Sequence, residues 1–384
     1  MKNFQTPSKG FLLLRLVILI LLLIKFYPFS KVKNYIQRQY LPLIFSLFSI
    51  NSFASSYGAY GHYSLGSSRV LGLAGAYTAL SEDSNAFILN PAGTGFAKWS
   101  YNLDGANNIL NNDELDIDSN GVGKSQTQNL SLFGVHYKNK IFSIGIGVIQ
   151  PYAVGLINNF SATEKKLSIK DTALNLSHCP ISNFCLGVNV IESKATQSVS
   201  SFAEVSEQEH SLIHYKYGMA IRFNEDIGFG YSYTGKSFWD FSNPKSNYFN
   251  SVIIPEKNSL GFFYNLKDQK TKIVFDLDTF KSPGTYTYVF ESNEYSNLVP
   301  VADKEVSIFR LGAEQLLMKR TKTSVTWRVG YYREPSRIDT SLDRNHFTIG
   351  LEARIGPAIL QAAMDQAKSF NNVSQSFSVL IDNL

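Results

Sequence analysis

The 384-residue chain is short of charge, cysteine and histidine, and each shortage removes a class of protein. Asp, Glu, Lys and Arg together make up 17% of it, against about 25% in a typical soluble domain. The net charge of +5 is spread along the chain without a Lys/Arg cluster, so no nucleic-acid partner is expected. Two cysteines, Cys179 and Cys185, are too few for a disulfide scaffold and lack zinc-site spacing. The six histidines form no H-E-x-x-H pair, so no metal is expected. Neither a Gly-x-Ser-x-Gly elbow nor a phosphate-binding loop occurs, and the chain is read as a non-enzyme without a cofactor. Beyond residue 54 no apolar run approaches the roughly 20 residues of a membrane helix.

Aromatics, by contrast, reach 14%, with 21 Tyr, 28 Phe and 26 Gly, a composition that suits β-structure with aromatic-rich surfaces. Before that structure comes a targeting region. "FLLLRLVILILLLI" (11–24) is apolar but interrupted by Arg15. Lys31, Lys33 and Arg38 then precede "LPLIFSLFSI" (41–50), and Ser52 and Ala54 stand at the −3 and −1 positions of a cleavage site. Residues 1–54 are therefore expected to be removed after Ala54, with two membrane anchors as the alternative.

From about Trp99 onward the chain alternates with period two. "IFSIGIGVIQ" separates Phe142, Ile144, Ile146 and Val148 from Ser143, Gly145 and Gly147. "SVTWRVGYY" separates Val325, Trp327, Val329 and Tyr331 from Thr326, Arg328 and Gly330. Such alternation predicts strands. Fourteen are read, near 98–106, 128–138, 141–150, 164–177, 184–196, 211–223, 227–240, 257–267, 271–281, 306–317, 323–334, 346–355, 358–368 and 375–383. Every second connection is tight, such as "NED" or "GP", and the others are mostly long and polar, such as "SPGTYTYVFESNEYSNLVPVAD". An even strand number with short turns at one end predicts an all-β transmembrane antiparallel barrel over 98–384, lodged in outer-membrane lipid. Cys179 and Cys185 flank one tight turn, as a possible disulfide or as two free thiols.

Residues 55–97 are left over. "RVLGLAGAYTALSEDSNAFILNPAG" (69–93) is rich in Gly and Ala and breaks at Asn90-Pro91. It fits a compact plug in a lumen too wide for the wall's own side chains to fill. On the polar face of adjacent strands, Arg310, Glu314, Arg328, Glu352, Arg354 and Asp365 form an expected lumen charge network. It is read as a self-paired wall, or as an anchor for the plug through Glu82 or Asp83.

Arg69, Leu71-Gly72, Ala74-Gly75-Ala76, Ala79, Glu82-Asp83 and the "NPAG" of 90–93 resemble the opening signature of the FadL/TodX-like outer-membrane transporters. "FRLGAEQLL" and "WRVGYYREPS" are similar to later strands of that family. The resemblance implies that 55–97 is a hatch, with Asn90, Pro91, Ala92, Gly93, Gly72, Gly75, Ala76 and Asp83 at its gate. It further implies a monomer in a Gram-negative outer membrane. A hydrophobic small-molecule ligand, such as a long-chain fatty acid or an aromatic hydrocarbon, would pass inward without energy input. PorV-like barrels share this opening, which leaves docking of secreted or surface proteins as the alternative function.

Overall fold

A computed structural model describes residues 66–112, 123–125, 131–158, 163–200, 205–241, 251–266, 270–282, 305–335, 343–367 and 370–381. The targeting region and residues 55–65 of the expected hatch lie outside the described residues. Fourteen antiparallel strands follow one another: β1 Tyr101–Asn112, β2 Leu132–Lys138, β3 Phe142–Asn158, β4 Thr163–Ile181, β5 Phe184–Ser200, β6 Val205–Arg222 and β7 Ile227–Thr234, then β8 Lys257–Asn265, β9 Thr271–Phe280, β10 Val306–Lys319, β11 Thr323–Glu334, β12 Arg344–Ile355, β13 Ala358–Ala367 and β14 Phe370–Ile381. Each pairs with its chain neighbours. β1 also pairs with β14 along its whole length, from Tyr101 opposite Ile381 to Asn112 opposite Phe370. That pairing closes the sheet and removes its free edges.

Side chains alternate across the wall as the pleat requires. On β2, Leu132, Gly134 and His136 are buried, while Phe133 and Val135 are exposed. Ile146, Ile213, Tyr217, Phe309, Leu311 and Ile349 continue the outward apolar surface around the barrel. Asn102, Asn175, Asn189, Asp276, Arg310 and Arg328 are buried on the inner side. A barrel with a greasy outside and a polar inside is made for a bilayer. Among the described residues no helix is long and apolar enough to cross a membrane.

The strands depart from the sequence expectation in several places, the first running to Asn112 instead of 106 and Gly123–Ser125 of an expected loop pairing with β3. The third to sixth are taller than the alternation suggested, with 17, 19, 17 and 18 residues, where about 9–11 cross a bilayer. The expected loop at 151–163 is mostly strand. Apolar residues there fall at both parities, as in Tyr152, Val154 and Leu156 beside Ala153 and Ile157, while ladder pairing continues through Asn158 opposite Thr163. The pairing skips at Gln150–Pro151, where Pro151 has no N–H to give. The seventh strand stops at Thr234 instead of running to 240. Ser237–Asp240 turns away and pairs with Ser251–Ile254 as a separate hairpin.

Candidate functional site

Residues 66–97 form one short helix, α1 Ser68–Gly72, and two 3-10 turns, Ser84–Phe87 and Pro91–Phe96. The segment breaks where its residues dictate. After α1 the chain turns through Ala74 and Gly75 at φ 57° and 81°, a left-handed conformation that Gly takes freely and Ala at a cost of about 1–2 kcal/mol. Asp83 caps the first 3-10 turn by accepting from Asn85 N at 3.0 Å. Asn90 caps the second, accepting from Ala92 N at 3.1 Å. Pro91 at the first position needs no N–H partner there.

The inner face of every barrel strand touches this segment, which places it inside the lumen. Ser84 N donates to Asp104 of β1 at 2.9 Å. Phe87 fills the space over Gly134 of β2 and over Gly145 and Gly147 of β3. Asn175 of β4 donates to Pro91 O, and Asn189 of β5 to Ala86 O and Phe87 O, each at 3.0 Å. From β6, Lys216 Nζ donates to Ile88 O, and Met219 O accepts from Asn90 Nδ2 at 3.0 Å. Gly230 of β7 lies against Thr78, and Gly261 of β8 leaves room for Ala79 N, 2.7 Å from where a Cβ would stand. Asp276 of β9 accepts from Tyr77 N and Thr78 N at 2.9 and 2.8 Å. Arg310 of β10 donates to Ala74 O at 3.0 Å, and Gly330 of β11 faces Ala74. Thr348 of β12 donates to Gly72 O at 3.1 Å. Ser68 reaches Gln361 O of β13 and Ser374 and Ser376 of β14. Val70, Leu73, Tyr77, Leu80 and Phe87 pack with Leu132, Ile149, Ile191, Phe263 and Val274 of the wall.

An ionic group lies toward the short-turn end, where β6 finishes at Arg222 and β9 starts beside Lys272. Arg69 of the plug pairs with Glu314 of the wall at 3.3 Å and with its own Glu82 and Asp83 at 3.8 and 4.0 Å. Arg328 meets Glu314 at 2.7 Å and also Glu352. Arg222 reaches Glu82 at 3.9 Å and lies over the rings of Phe96 and Phe263. Burial pushes the Glu82 carboxyl up, but Arg69, Lys272, Lys98 and Arg222 outweigh it and hold it below the usual range. Burial raises Asp83 despite Arg69. These side chains are only 2–16% exposed, so removing one partner would leave a buried charge unpaired.

The expected charge network therefore divides. Glu314, Arg328 and Glu352 belong to the group around Arg69. Arg310 pairs with Asp278 at 2.9 Å instead. Asp365 meets His346 and Tyr332 higher in the wall, at 3.0 and 2.7 Å. Arg354 joins neither group. It stacks 4.5 Å over Trp99 and donates to Gly356 O, because it lies next to the last residue of its strand. The expected anchor through Glu82 is present, in its pair with Arg222 of β6, and Arg69 adds a second one to Glu314 of β10. Sequence reasoning missed Asp276, Asn175, Asn189 and Lys216 as plug contacts. Their only signal was a polar residue at an inward position.

On the long-connection side of the plug the buried lining is mixed, with Asp171, Gln197, Glu334, Arg344 and His346 among apolar residues. Ile169, Ala195, Phe280 and Ile308 are buried there, and the hairpin adds Trp239, Phe241 and Ile253. Trp239 donates across to Ser193 O of β5.

Asn90 joins the segment's own turn to the wall, since Nδ2 also donates to Thr78 O at 2.9 Å. Asn90→Ala removes a cap and two carbonyl bonds, about 1–3 kcal/mol of seating. Influx of a small antibiotic should rise at matched barrel level, with heat-modifiable gel migration unchanged. Unchanged influx would mean that Asn90 does not hold the segment.

No family model matches the sequence, and no curated relative does. Solved structures do share the fold. The CymD monoaromatic hydrocarbon channel superposes with a TM-score of 0.59 at 10% identity, over 83% of this chain and 98% of that one. The toluene transporter TbuX of Ralstonia pickettii gives 0.57 at 13%, over 85% and 98%. A FadL homologue of Pseudomonas aeruginosa gives 0.55 at 12%, over 82% and 98%. At these identities the likeness is one of fold.

Proposed function

We propose that the chain is an outer-membrane channel for passive inward passage of hydrophobic small molecules, with residues 66–97 as its movable hatch. One observation carries the reading: the chain's own N-terminal segment fills the lumen against every strand, with apolar Ile169, Phe280, Ile308 and Trp239 among the residues lining the side above it. The similar structures include a hydrocarbon channel and a toluene transporter, which supports it. An apolar molecule entering this lining gains about 25 cal/mol per Å² of surface removed from water, so capture needs no energy source. The hatch is held by apolar packing of Val70, Leu73, Tyr77, Leu80 and Phe87, by hydrogen bonds to wall carbonyls and side chains, and by a few ion pairs. None is covalent, and water can replace the polar ones as the segment shifts. In this reading the short turns face the periplasm, and the Arg69–Glu314–Arg328 group is the lock on that side.

The test is uptake of a labelled long-chain fatty acid and a labelled aromatic hydrocarbon, with and without the chain, in cells of equal growth rate. The expected result is faster uptake of at least one of them with the chain present. Equal rates for both would overturn the proposed cargo.

A further inference from the structure

Cys179 and Cys185 are bonded across the turn between β4 and β5. Both cysteines lie on the lumen side, at 6% and 0% exposure, packed with Ala92, Ala220 and Phe96. The last turn of the plug rests on them. A Cβ on Gly95 would stand 2.7 Å from Cys185 Sγ and 2.8 Å from Ser177 Oγ, and closer still to Cys179 Sγ. Sulfur occupies the space that any larger residue at 95 would need. The same wall holds the turn by hydrogen bonds, from Ser177 Oγ to Ala92 O at 3.3 Å and from Asn175 to Pro91 O. As a brace for the barrel the bond does little. It links residues six apart on strands that the ladder already pairs, and so short a loop yields less than the roughly 3 kcal/mol of a 15-residue one. Its position under the plug is what distinguishes it.

We propose that the Cys179–Cys185 disulfide is a redox-sensitive seat for the plug. Oxidised, it fixes the floor beneath Ala92 and Gly95; reduced, it releases that turn and opens the lumen to small solutes. The proposal rests on residues 66–97 being the movable part. The reaction is exchange with an external dithiol. Its thiolate attacks one sulfur to give a mixed disulfide, and its second thiol then displaces the protein sulfur. The chain gains two electrons and two protons as a pair of thiols, and the reductant leaves as a disulfide. Sulfurs freed from a bond move apart to non-bonded contact, and the atoms they press on belong to Gly95 and Ala92. Because the plug covers both sulfurs, the reductant reaches them only when the plug lifts.

The experiment uses the whole barrel in liposomes and reads influx of a small sugar before and after dithiothreitol. Alkylation and mass measurement count the freed thiols, and heat-modifiable migration reports the barrel. Influx should rise about fivefold or more, which corresponds to about 1 kcal/mol of weakened seating, and fall again on reoxidation. The Cys179→Ser/Cys185→Ser double variant should not respond to dithiothreitol. Unchanged influx with both thiols alkylated overturns the proposal, as does an equal response from the double variant. No hydrophobic cargo is read. A barrel that leaks on reduction but carries no such cargo would overturn the proposed function and leave the seat standing.

Discussion

Deleting residues 66–95 yields a barrel that still closes but admits small hydrophilic solutes at least about tenfold faster, equivalent to removing about 1.4 kcal/mol or more from the barrier. Closure resides in the ladder between β1 and β14 and in the outward apolar surface, neither of which the deletion touches. The wall groups left behind, Asp104, Asn175, Asn189 and Asp276, are polar, so water entering the lumen satisfies them. The main apolar anchors that disappear, Leu73, Tyr77, Leu80 and Phe87, belong to the deleted segment itself. Antibiotic influx and gel migration of the unheated protein together check this. A correctly folded deletion barrel with unchanged influx would show that the segment obstructs nothing.

The second large effect comes from one position on the wall. Gly330→Leu should unseat the plug, while Ala313→Leu, on the outward face of the adjoining strand β10, should not. A Cβ at Gly330 would stand 2.7 Å from Ala74 Cβ and 2.8 Å from Ala74 N. Ala74 is already in the left-handed region and its carbonyl is held by Arg310, so it has little freedom to retreat. Overpacking of this kind costs about 1–3 kcal/mol, and the displaced plug would gain population by roughly 5- to 150-fold. Influx of a small antibiotic should follow that population. Equal influx in the two variants would contradict the close approach of plug and wall.

The barrel was legible because alternation and turn length report separate facts. In Ser324–Tyr332 the pattern says which residues face out, and turns such as "GP" at 356–357 say where a strand must reverse. The plug was legible from Gly72, Gly75 and Asn90-Pro91, which suit neither a strand nor a long helix. Pairing inside the lumen was not legible. Period two assigns Arg328 and Arg354 to the same inner face but gives neither its height against the plug, and height decides that one meets Glu314 and the other Trp99. The tall upper strands were missed for a different reason: Tyr152, Ala153, Val154, Leu156 and Ile157 are apolar at both parities, so alternation has no contrast to display. The cysteines were placed at a turn from sequence, but only the fold shows that their sulfurs face the plug.

If cargo passes only when the plug moves, tying the plug to the wall must stop it. Ser68 Oγ of the plug lies 3.0 Å from Ser374 Oγ of β14, so Ser68→Cys with Ser374→Cys should allow an oxidant to make that tie. The measurement is uptake of a labelled hydrophobic compound by liposomes containing the oxidised double variant, beside each single variant treated alike. A movable hatch predicts uptake at the level of empty liposomes for the tied barrel and full uptake for both single variants. A tied barrel that transports as fast as the single variants would contradict it.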